Sequence, residues 1–515
     1  MPSTCDTDVL IVGAGPTGLV LALWLARLGV RVRIIDKLPA PSVTSRAVAV
    51  QARTLELYRQ VGLAETLVER GRQAAAANLW VSGRRIARAA LGDIGEGVSP
   101  YPYALIFPQD EHERLLIDRL HALGVVVERT TEFVGIEHTQ AGNGVVARLA
   151  RLGRPVESCR VAYLAGCDGA HSAVREACGV GFPGGTYEHL FFVADVEAAG
   201  AAVSGEIHVA LDATDFLAVF PLKAEGHVRL VGTVRDEAAR ERGDLSWDDV
   251  GRRVIAWMKL DVTRVNWFST YQVHHRVAAR FRVGRAFLLG DAAHIHSPVG
   301  GQGMNTGIGD AANLAWKLAA ALNGTADPSI LDTYEPERIA FARRLVATTD
   351  RAFTAVTSSS AFARAVRLHI VPFFVPAAFA LRPVRRLLFR TVSQTSITYR
   401  GSALSEGRAG RVHGGDRLPW VKLGPGADNF APLTSLDWQV HVYGDAGRAI
   451  QSVCDERRLP LFVFAWDRGL VSRGLAQNAF YLVRPDGHVG LAGSQDDPAV
   501  LTSYLDARKL AVRSR

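Results

Sequence analysis

Three glycines near the amino terminus have the spacing of a turn that binds phosphate. Gly13, Gly15 and Gly18 fill the pattern G-x-G-x-x-G directly after a strand-like run at residues 8–12. A glycine in the first position permits a sharp bend, the second lets the main chain approach a pyrophosphate, and the third lets the following helix pack closely on the strand. Because the free amides at the start of that helix attract anions, the turn predicts a dinucleotide site.

A carboxylate stands where the ribose of such a ligand would lie. Residues 30–35 predict a second strand, which ends at Asp36, about twenty residues after the glycines. A carboxylate there accepts hydrogen bonds from a ribose and repels a 2′-phosphate, so the site suits the AMP half of FAD or NAD better than NADP. Pro16 and Lys37 adjoin these positions and are assigned to the same site. A second glycine match at residues 179–184 follows a helix and contains a proline, which indicates a loop.

Two further motifs lie far downstream. Asp168 and Gly169 occur in CDGAHSAVR, and Gly290 and Asp291 occur in LLGDAAH. Together with the glycine turn, and in this order, these motifs resemble those of the FAD-dependent aromatic hydroxylases, the single-component flavoprotein monooxygenases of the phenol and polyketide hydroxylase type. The resemblance covers essentially the whole chain. It implies FAD as the bound cofactor and a small phenolic or polyketide-like aromatic compound as the substrate.

The resemblance also implies roles for several polar residues. Asp291 follows an apolar strand, at the edge where ligands of α/β sheets collect, and would hold a ribityl hydroxyl. Asp168 would support FAD and the visiting pyridine nucleotide, although Asp168 and Arg175 could instead form a surface ion pair. Arg46 matches an arginine near the ribityl chain and diphosphate, and a guanidinium suits phosphate geometry. Gln109 matches a glutamine that contacts FAD; the alternative is an ordinary residue at a helix start.

A glycine-rich stretch after the third motif opens a predicted helix at residues 305–322. The start of a helix offers free amides and a positive dipole end. In the family these amides face the pyrimidine end of the isoalloxazine, which places Gly303, Met304 and Asn305 at the flavin. The resemblance sets the backbone carbonyl of Pro298 beside the position of oxygen transfer, as part of both the cofactor site and the catalytic site. The alternative is that this stretch is merely a flexible connection.

The reaction follows from the resemblance. No other credible dinucleotide turn exists, so NADPH, or NADH, must visit the flavin in a cleft. The reduced flavin reacts with O2, and the family's route is a C4a-hydroperoxide that hydroxylates an electron-rich phenol. His275 is the candidate base for the phenol, with His274 and Tyr271 as alternatives, because a histidine titrates in a useful range. His294 is expected to support the turn at the third motif.

An apolar sheet could line the substrate pocket. Its four candidate phenylalanines, each of which could equally be plain core, are Phe191, Phe192, Phe216 and Phe220.

The motif order predicts an α/β protein of three parts. A Rossmann-like FAD-binding domain is discontinuous, at residues 1–178 and 276–395. Alternating strands at residues 179–275 predict a β-sheet domain that binds the substrate. Residues 396–515 look like the thioredoxin-like C-terminal domain of many relatives. That domain lacks a C-x-x-C pair, so we expect it to serve in packing or in a homodimer contact.

Composition argues against several other classes of protein. The formal charge of +8 is spread over 515 residues, without the clustered basic run that tracks nucleic acid. The five cysteines have neither zinc-ligand spacing nor C-x-x-C pairs, which predicts no metal site and a reducing cytoplasm. No apolar stretch reaches the length of a membrane span, so no stable membrane insertion is expected. The basic amphipathic stretch 361–390 could lie on a membrane surface, but it more simply packs on its own protein.

Two other functions remain open at this stage. One is a different flavoenzyme on the same fold, a halogenase or a prenyl-chain reductase, although no W-x-W pair typical of flavin halogenases occurs. The other is a protein that keeps FAD structurally and sequesters an aromatic compound.

Overall fold

The computed structural model describes most of the chain. The described residues are 6–41, 47–137, 144–211, 216–234, 245–249, 255–256, 258–297, 299–357 and 381–511. Three large sheets and the helices that cover them make up this part of the chain, which confirms the α/β class expected from the sequence. None of its helices has the length and apolar character needed to span a bilayer.

The first sheet carries the glycine turn and has a parallel centre. Its strand order is β17-β18-β11-β1-β2-β8, with β10 pairing with β11 and β9 with β10. The strands are β1 (Thr7–Val12), β2 (Val32–Ile35), β8 (Val127–Glu128), β9 (Thr131–Glu137), β10 (Val145–Arg151), β11 (Glu157–Gly166), β17 (Arg282–Val283) and β18 (Ala286–Leu288). Strands β1, β2, β11 and β18 run parallel, and β1 is a nearly continuous buried apolar run, as expected for a strand covered on both faces. All three motifs therefore leave the same edge of this sheet.

Helices cover the first sheet and set the positions of its loops. The α-helices in the described residues are α1 (Pro16–Arg27), α2 (Ala52–Gln60), α3 (Ala64–Arg70), α4 (Gln109–Ala122), α5 (Ala173–Ala177), α6 (Gly303–Leu322), α7 (Tyr334–Thr357), α8 (Arg382–Val392), α9 (Arg448–Glu456), α10 (Leu470–Arg473) and α11 (Ala499–Ala507). Helix α6 begins two residues before the predicted start. It packs against α1 where Gly307 faces Thr17, a contact so close that a Cβ at Gly307 would overlap the threonine hydroxyl.

The second sheet is mainly antiparallel and lies over the motif edge. Its order is β19-β16-β12-β15-β14-β13-β5-β6. The strands are β5 (Ala76–Val81), β6 (Arg84–Ala90), β12 (Gly184–Gly200), β13 (Ile207–Leu211), β14 (Phe216–Pro221), β15 (His227–Val234), β16 (Leu260–Val277) and β19 (His294–Ile295). Two of its strands, β5 and β6, precede the segment 179–275 predicted for this domain, so the sheet draws on the amino-terminal part of the chain. The exact domain boundaries stay a prediction.

The two faces of the second sheet pack into different clusters. Neighbouring residues of a strand point to opposite faces. Phe191 accordingly joins the cluster of Val193 and Val231, whereas Phe192 joins a separate cluster with Ala194. Only one of these two phenylalanines can therefore face the first sheet.

The carboxyl-terminal segment forms a third sheet in the order β21-β20-β27-β26-β24-β25. Its strands are β20 (Glu406–Ala409), β21 (Val412–His413), β24 (Gln439–Tyr443), β25 (Leu461–Phe464), β26 (Ala479–Val483) and β27 (Val489–Ser494). Short strands complete the described structure: β3 (Ala49–Val50), β4 (Arg72–Gln73), β7 (Leu105–Ile106), β22 (Lys422–Gly424) and β23 (Ala427–Asp428). The amphipathic stretch 361–390 lies outside the described residues apart from its last part, which belongs to α8.

Candidate active site

A cavity of about 850 Å³ lies between the motif edge of the first sheet and one face of the second. The starts of α1 and α6 bound one side, and aromatic side chains of the second sheet bound the other. Helix α8 closes the cavity with Leu388, Phe389 and Val392. The cavity thus brings together loops that are nearly 300 residues apart in the chain.

Two of the three glycines in the turn are packed against backbone, and the third faces open space. A Cβ at Gly13, which has a φ of +100°, would overlap the carbonyl of Cys167, and a Cβ at Gly18 would overlap the carbonyl of Gly13. At Gly15 a Cβ would meet nothing within 4 Å, and Gly15 and Pro16 line the cavity. Bare backbone at the start of a helix is what a pyrophosphate requires, so the turn fits the phosphates of a dinucleotide.

Asp36 is held in place by the turn itself. Its carboxylate accepts hydrogen bonds from the backbone N–H of Ala14 at 2.7 Å and of Leu38 at 2.8 Å. Arg129 lies 3.8 Å from the same carboxylate. Neither Asp36 nor the exposed Lys37 lines the cavity. The structure therefore places Asp36 beside the turn, held by its backbone N–H groups.

The second motif is built around a capping carboxylate. Asp168 accepts hydrogen bonds from Ser172 Oγ at 2.5 Å and from the backbone N–H of Val174 at 3.1 Å, at the start of α5. Burial raises the pKa of Asp168. Its neighbour Gly169, and not Asp168, lines the cavity. Arg175 donates to the carbonyls of Ala170 at 2.9 Å and of Ala292 at 3.0 Å, so it joins the second motif to the third instead of forming a surface ion pair.

The third motif presents Asp291 to the cavity. Asp291 is exposed and lines the cavity, directly after the tight turn at Gly290, where φ is +58°. The buried carboxylate of Asp310 fixes this turn: it accepts from the backbone N–H of Gly290 at 3.0 Å and lies 2.7 Å from Nε2 of His294. His294 thus supports the turn, as the sequence predicts.

Asp310 itself is stabilised as an anion inside the protein. Although burial alone would raise it, the pKa of Asp310 is lowered because Arg338 and His294 contact the carboxylate. Arg338 Nε donates to Asp310 at 2.6 Å, and Arg338 Nη1 donates to Tyr399 at 2.8 Å. A buried chain of polar contacts therefore runs from the third motif to the carboxyl-terminal segment.

The start of α6 faces the cavity through Gly303 and Met304. Asn305 does not line it. Its side chain accepts from the backbone N–H of Gln51 at 2.9 Å and donates to the carbonyl of Ala49 at 2.9 Å. Asn305 thus ties β3 to the helix, and only its backbone could serve a ligand.

Gln109 lines the cavity at the start of α4. Its Oε1 accepts from the backbone N–H of Ala47 at 3.2 Å, and its Nε2 donates to Glu113 at 2.8 Å. Burial raises the pKa of Glu113 to about 7. Two other predicted residues of this site, Arg46 and Pro298, lie outside the described residues.

Aromatic side chains form the wall opposite the motifs. Three of the four candidate phenylalanines, Phe191, Phe216 and Phe220, line the cavity together with Tyr271. Phe192 points to the other face. Because most of the remaining lining is aliphatic, this part of the cavity suits a flat, apolar ring.

His275 does not line the cavity. Its ring packs at 4.8 Å from the ring of Tyr187, and His274 lies 2.7 Å from Thr186 Oγ1. The catalytic role predicted for His275 stays untested.

Three polar residues of the site escaped the sequence analysis. His296 lines the cavity; its Nδ1 donates to the carbonyl of Ser297 at 2.8 Å, and burial lowers its pKa to about 4. Gln302 also lines the cavity. The buried Arg229 binds Asp195 and donates to the carbonyl of Ala47 at 3.0 Å. Gln302 stands inside the glycine-rich stretch, which was its only sequence signal.

The fold and the site define an FAD-dependent monooxygenase. The chain belongs to the family described as FAD binding domain, whose profile matches residues 6–349, and the FAD expected from the sequence is thereby confirmed.

Similar proteins and solved structures cover between two thirds and nearly all of the chain. A 6-methylpretetramide 4-monooxygenase of Streptomyces rimosus is 34% identical over 549 residues, covering 99% of this chain and 95% of the relative. The solved structure of an anhydrotetracycline hydroxylase from Streptomyces rimosus superimposes with a TM-score of 0.76 at 28% identity, covering 98% of this chain and 99% of that chain. A dialkyldecalin synthase of Streptomyces rugosporus is 35% identical over 359 residues, covering 68% of this chain and 73% of the relative.

Proposed function

We propose that this protein hydroxylates a phenolic, polyketide-type aromatic compound, with FAD as cofactor, NADPH or NADH as electron donor and O2 as co-substrate. The observation that carries the proposal is the single cavity that joins the phosphate-binding turn, the third motif and an aromatic wall. A site for a dinucleotide and a site for a flat apolar ring are thus continuous. The relatives named 6-methylpretetramide 4-monooxygenase and anhydrotetracycline hydroxylase support a polycyclic substrate.

The residues of the cavity divide between cofactor and substrate. Gly15 and Pro16 would hold the phosphates, Asp291 the ribityl chain, and the amides at Gly303 and Met304 the flavin ring. Asp36 would serve the adenosine ribose once its side chain turns from the backbone, and Gln109 would bound the same end. When bound, FAD supplies the electron transfer and the O2 activation that side chains lack.

The protein's own contribution is orientation and exclusion of water. Phe191, Phe216 and Phe220 offer a dry surface on which an aromatic ring lies in a fixed plane. Helix α8 covers this region through Phe389, whose ring fills the space beside Gly95. The backbone carbonyl of Pro298 remains our candidate for the group beside the transferred oxygen, and His275 remains a candidate base.

The proposal extends to organisation in the cell. It includes the three-part domain division given above, a cytoplasmic location and a homodimer contact through the carboxyl-terminal domain. The described cysteines, Cys159, Cys167, Cys178 and Cys454, are free thiols, which suits a reducing compartment.

A second candidate keeps the fold but transfers no oxygen. The relative named dialkyldecalin synthase matches two thirds of this chain, so the fold also supports an activity whose name implies ring formation. In that case the aromatic wall would shape the folding of a substrate chain, and NAD(P)H would not be consumed during turnover.

One experiment separates these functions. The purified holoenzyme is mixed anaerobically with NADPH or NADH and a panel of phenols, from single rings to polycyclic polyketides and ansamycins, and flavin reduction is followed by absorbance. We expect an effective substrate to accelerate reduction, and we expect mass spectrometry under ¹⁸O2 to find one labelled oxygen in the product. Tight binding without accelerated reduction or labelled product would support sequestration or ring formation instead.

A further inference from the structure

Helix α8 carries an exposed row of apolar side chains, which we call the apolar ridge. Leu381, at the N-cap, and Val384 and Leu387 are three residues apart and therefore neighbours along the helix. Their exposed fractions are 57%, 37% and 68%. Phe389 is the one residue of α8 that is buried. Apolar side chains grouped on an exposed surface are typical of a region that contacts a partner.

A row of arginines, which we call the basic stripe, runs beside the ridge. Arg382, Arg386 and Arg390 are four residues apart and exposed. Helix α8 contains neither Asp nor Glu, and these arginines form no ion pair with any residue that the structure describes. Partial burial and the nearby charges of Arg417 and Arg386 lower the pKa of Arg390. The stripe is therefore positive charge without a bound counter-charge.

The surroundings of α8 do not neutralise the stripe. Partial burial and the charge of Arg386 lower the pKa of Arg473, at the end of α10, so a further arginine lies close by. Two acids, Glu96 and Asp416, act on these arginines in the opposite direction. Asp416 is already bound to Arg400 at 2.7 Å. This surface therefore attracts anions.

The inner side of α8 is a wall of the cavity. Leu388, Phe389 and Val392 line the cavity, whereas Leu387 points to solvent. One helix, about 10 Å across, therefore separates the apolar ridge from the cavity. A partner that binds the ridge would lie next to the region in which we propose that the aromatic ring binds.

We propose that α8 docks this protein reversibly on an anionic lipid surface. The apolar ridge would enter the boundary between headgroups and acyl chains, and the basic stripe would contact the headgroups. An acidic protein is the weaker match, because it would have to present an apolar groove between its acids. The docking does not depend on the proposed hydroxylation. Only its consequence, that an apolar aromatic ligand reaches the cavity from the bilayer, rests on that function.

The test measures sedimentation of the holoenzyme with lipid vesicles. We expect the wild type to bind vesicles of equal parts phosphatidylglycerol and phosphatidylcholine at least about tenfold more tightly than vesicles of phosphatidylcholine alone. High salt should remove this preference. Leu387→Ala should weaken binding about tenfold, because it removes apolar surface from the ridge. The double variant Arg382→Gln/Arg386→Gln should weaken it about twentyfold.

Matched controls remove the same groups elsewhere on the surface. Leu152→Ala and the double variant Arg154→Gln/Arg160→Gln change exposed positions near β10 and β11. The second control lowers the net charge as much as the α8 double variant does. Both controls should bind vesicles nearly as the wild type does, and all variants should keep the melting temperature of the wild type.

Several results would overturn the inference. One is a wild type that binds both kinds of vesicle equally or binds neither. Another is an equal loss in the α8 variants and in their controls, which would leave only an effect of net charge. If polyglutamate binds in place of vesicles and Leu387→Ala keeps that binding, the stripe serves an acidic polypeptide. If Leu387→Ala instead converts a dimer to a monomer in light scattering, the ridge is a contact between copies. None of these readouts uses turnover, so failure of the proposed hydroxylation would leave the docking standing.

Discussion

Nε2 of His294 lies 2.7 Å from a carboxylate oxygen of Asp310, and both residues are buried. Through its other oxygen Asp310 binds Arg338, which reaches Tyr399 in the segment before the third sheet. The turn that presents Asp291 to the cavity is thus fixed by groups from α6 and α7 and from the carboxyl-terminal part of the chain. Loss of the contacts made by Asp310 should therefore reduce the stability of the protein and also change the geometry of the cofactor site.

Removing the charge of Asp310 tests this contact. Asp310→Asn leaves Arg338 buried without a counter-charge, and we expect a loss of about 3–5 kcal/mol in the free energy of unfolding, measured with urea. Asp332→Asn is the control, because Asp332 pairs with Arg282 at 2.5 Å but its side chain is 71% exposed. The control should change stability little. Equal effects of the two substitutions would contradict the role of the buried contact.

Asp291 is expected to bind the cofactor. Because Asp291 is exposed and lines the cavity, Asp291→Ala should weaken FAD binding by about 2 kcal/mol, or roughly thirtyfold. Fluorescence titration of apoprotein with FAD measures this. Asp93→Ala, an exposed acid in a loop, is the comparison. Full retention of FAD by Asp291→Ala would argue against our assignment.

Substitutions of two glycines in the turn should have different effects, one on FAD binding and the other on stability. Gly15→Ala adds a methyl group to open space at a φ of −77°, so the apoprotein should stay as stable as the wild type while FAD binds about tenfold more weakly. Gly18→Ala drives a methyl group into the carbonyl of Gly13 and should cost about 1–3 kcal/mol of stability. Thermal unfolding of both apoproteins and FAD titration measure the difference. The reverse pattern would mean that the ligand does not approach Gly15.

One face of the second sheet should matter for the aromatic ligand and the other should not. Phe216 lines the cavity, whereas Phe268 packs in the cluster on the opposite face. We expect Phe216→Ala to weaken binding of 1-naphthol to the holoenzyme about tenfold, and Phe268→Ala to leave it unchanged. Perturbation of the flavin absorbance measures binding. Similar losses of 1-naphthol affinity in both variants would indicate that the substitutions loosen the whole sheet.

Stability should fall in mild acid because histidines are buried in neutral form. Burial lowers the pKa of His441 from 6.5 to about 3. As the pH falls below about 6.5, the unfolded chain takes up a proton that the folded protein refuses, so stability is lost in this range by about 1.4 kcal/mol per pH unit for one such group. His441→Leu should reduce the slope of unfolding free energy against pH by that amount, measured between pH 6 and 4. His121→Leu, on the exposed end of α4, should leave the slope as it is.

The local parts of the site could be predicted from the sequence. The first glycine turn, Asp36 and the third motif each combine a strand, a turn and a helix within a few residues, and backbone sterics decide their shape. Gly13, Gly15 and Gly18 accordingly have the three environments that their spacing predicts.

Side-chain direction over long distances could not be predicted in the same way. His275 and Tyr271 are four residues apart on β16, and the partner strand β12 carries two extra residues between Thr186 and Leu190. Tyr271 then lines the cavity while His275 packs on Tyr187. Gln302 was missed for a related reason, since its direction depends on the left-handed backbone of Gly300 and Gly301.

The first sheet also constrains the order of events during synthesis. Its centre pairs β1 with β11, and β11 with β18, which ends at Leu288. After the glycine turn has been synthesised, about 270 further residues must therefore be added before the cofactor site can form. Until then the end of β11 at residues 164–166, which pairs with β18, has no neighbour on that edge, so cells that make this protein quickly should need chaperones that shield it.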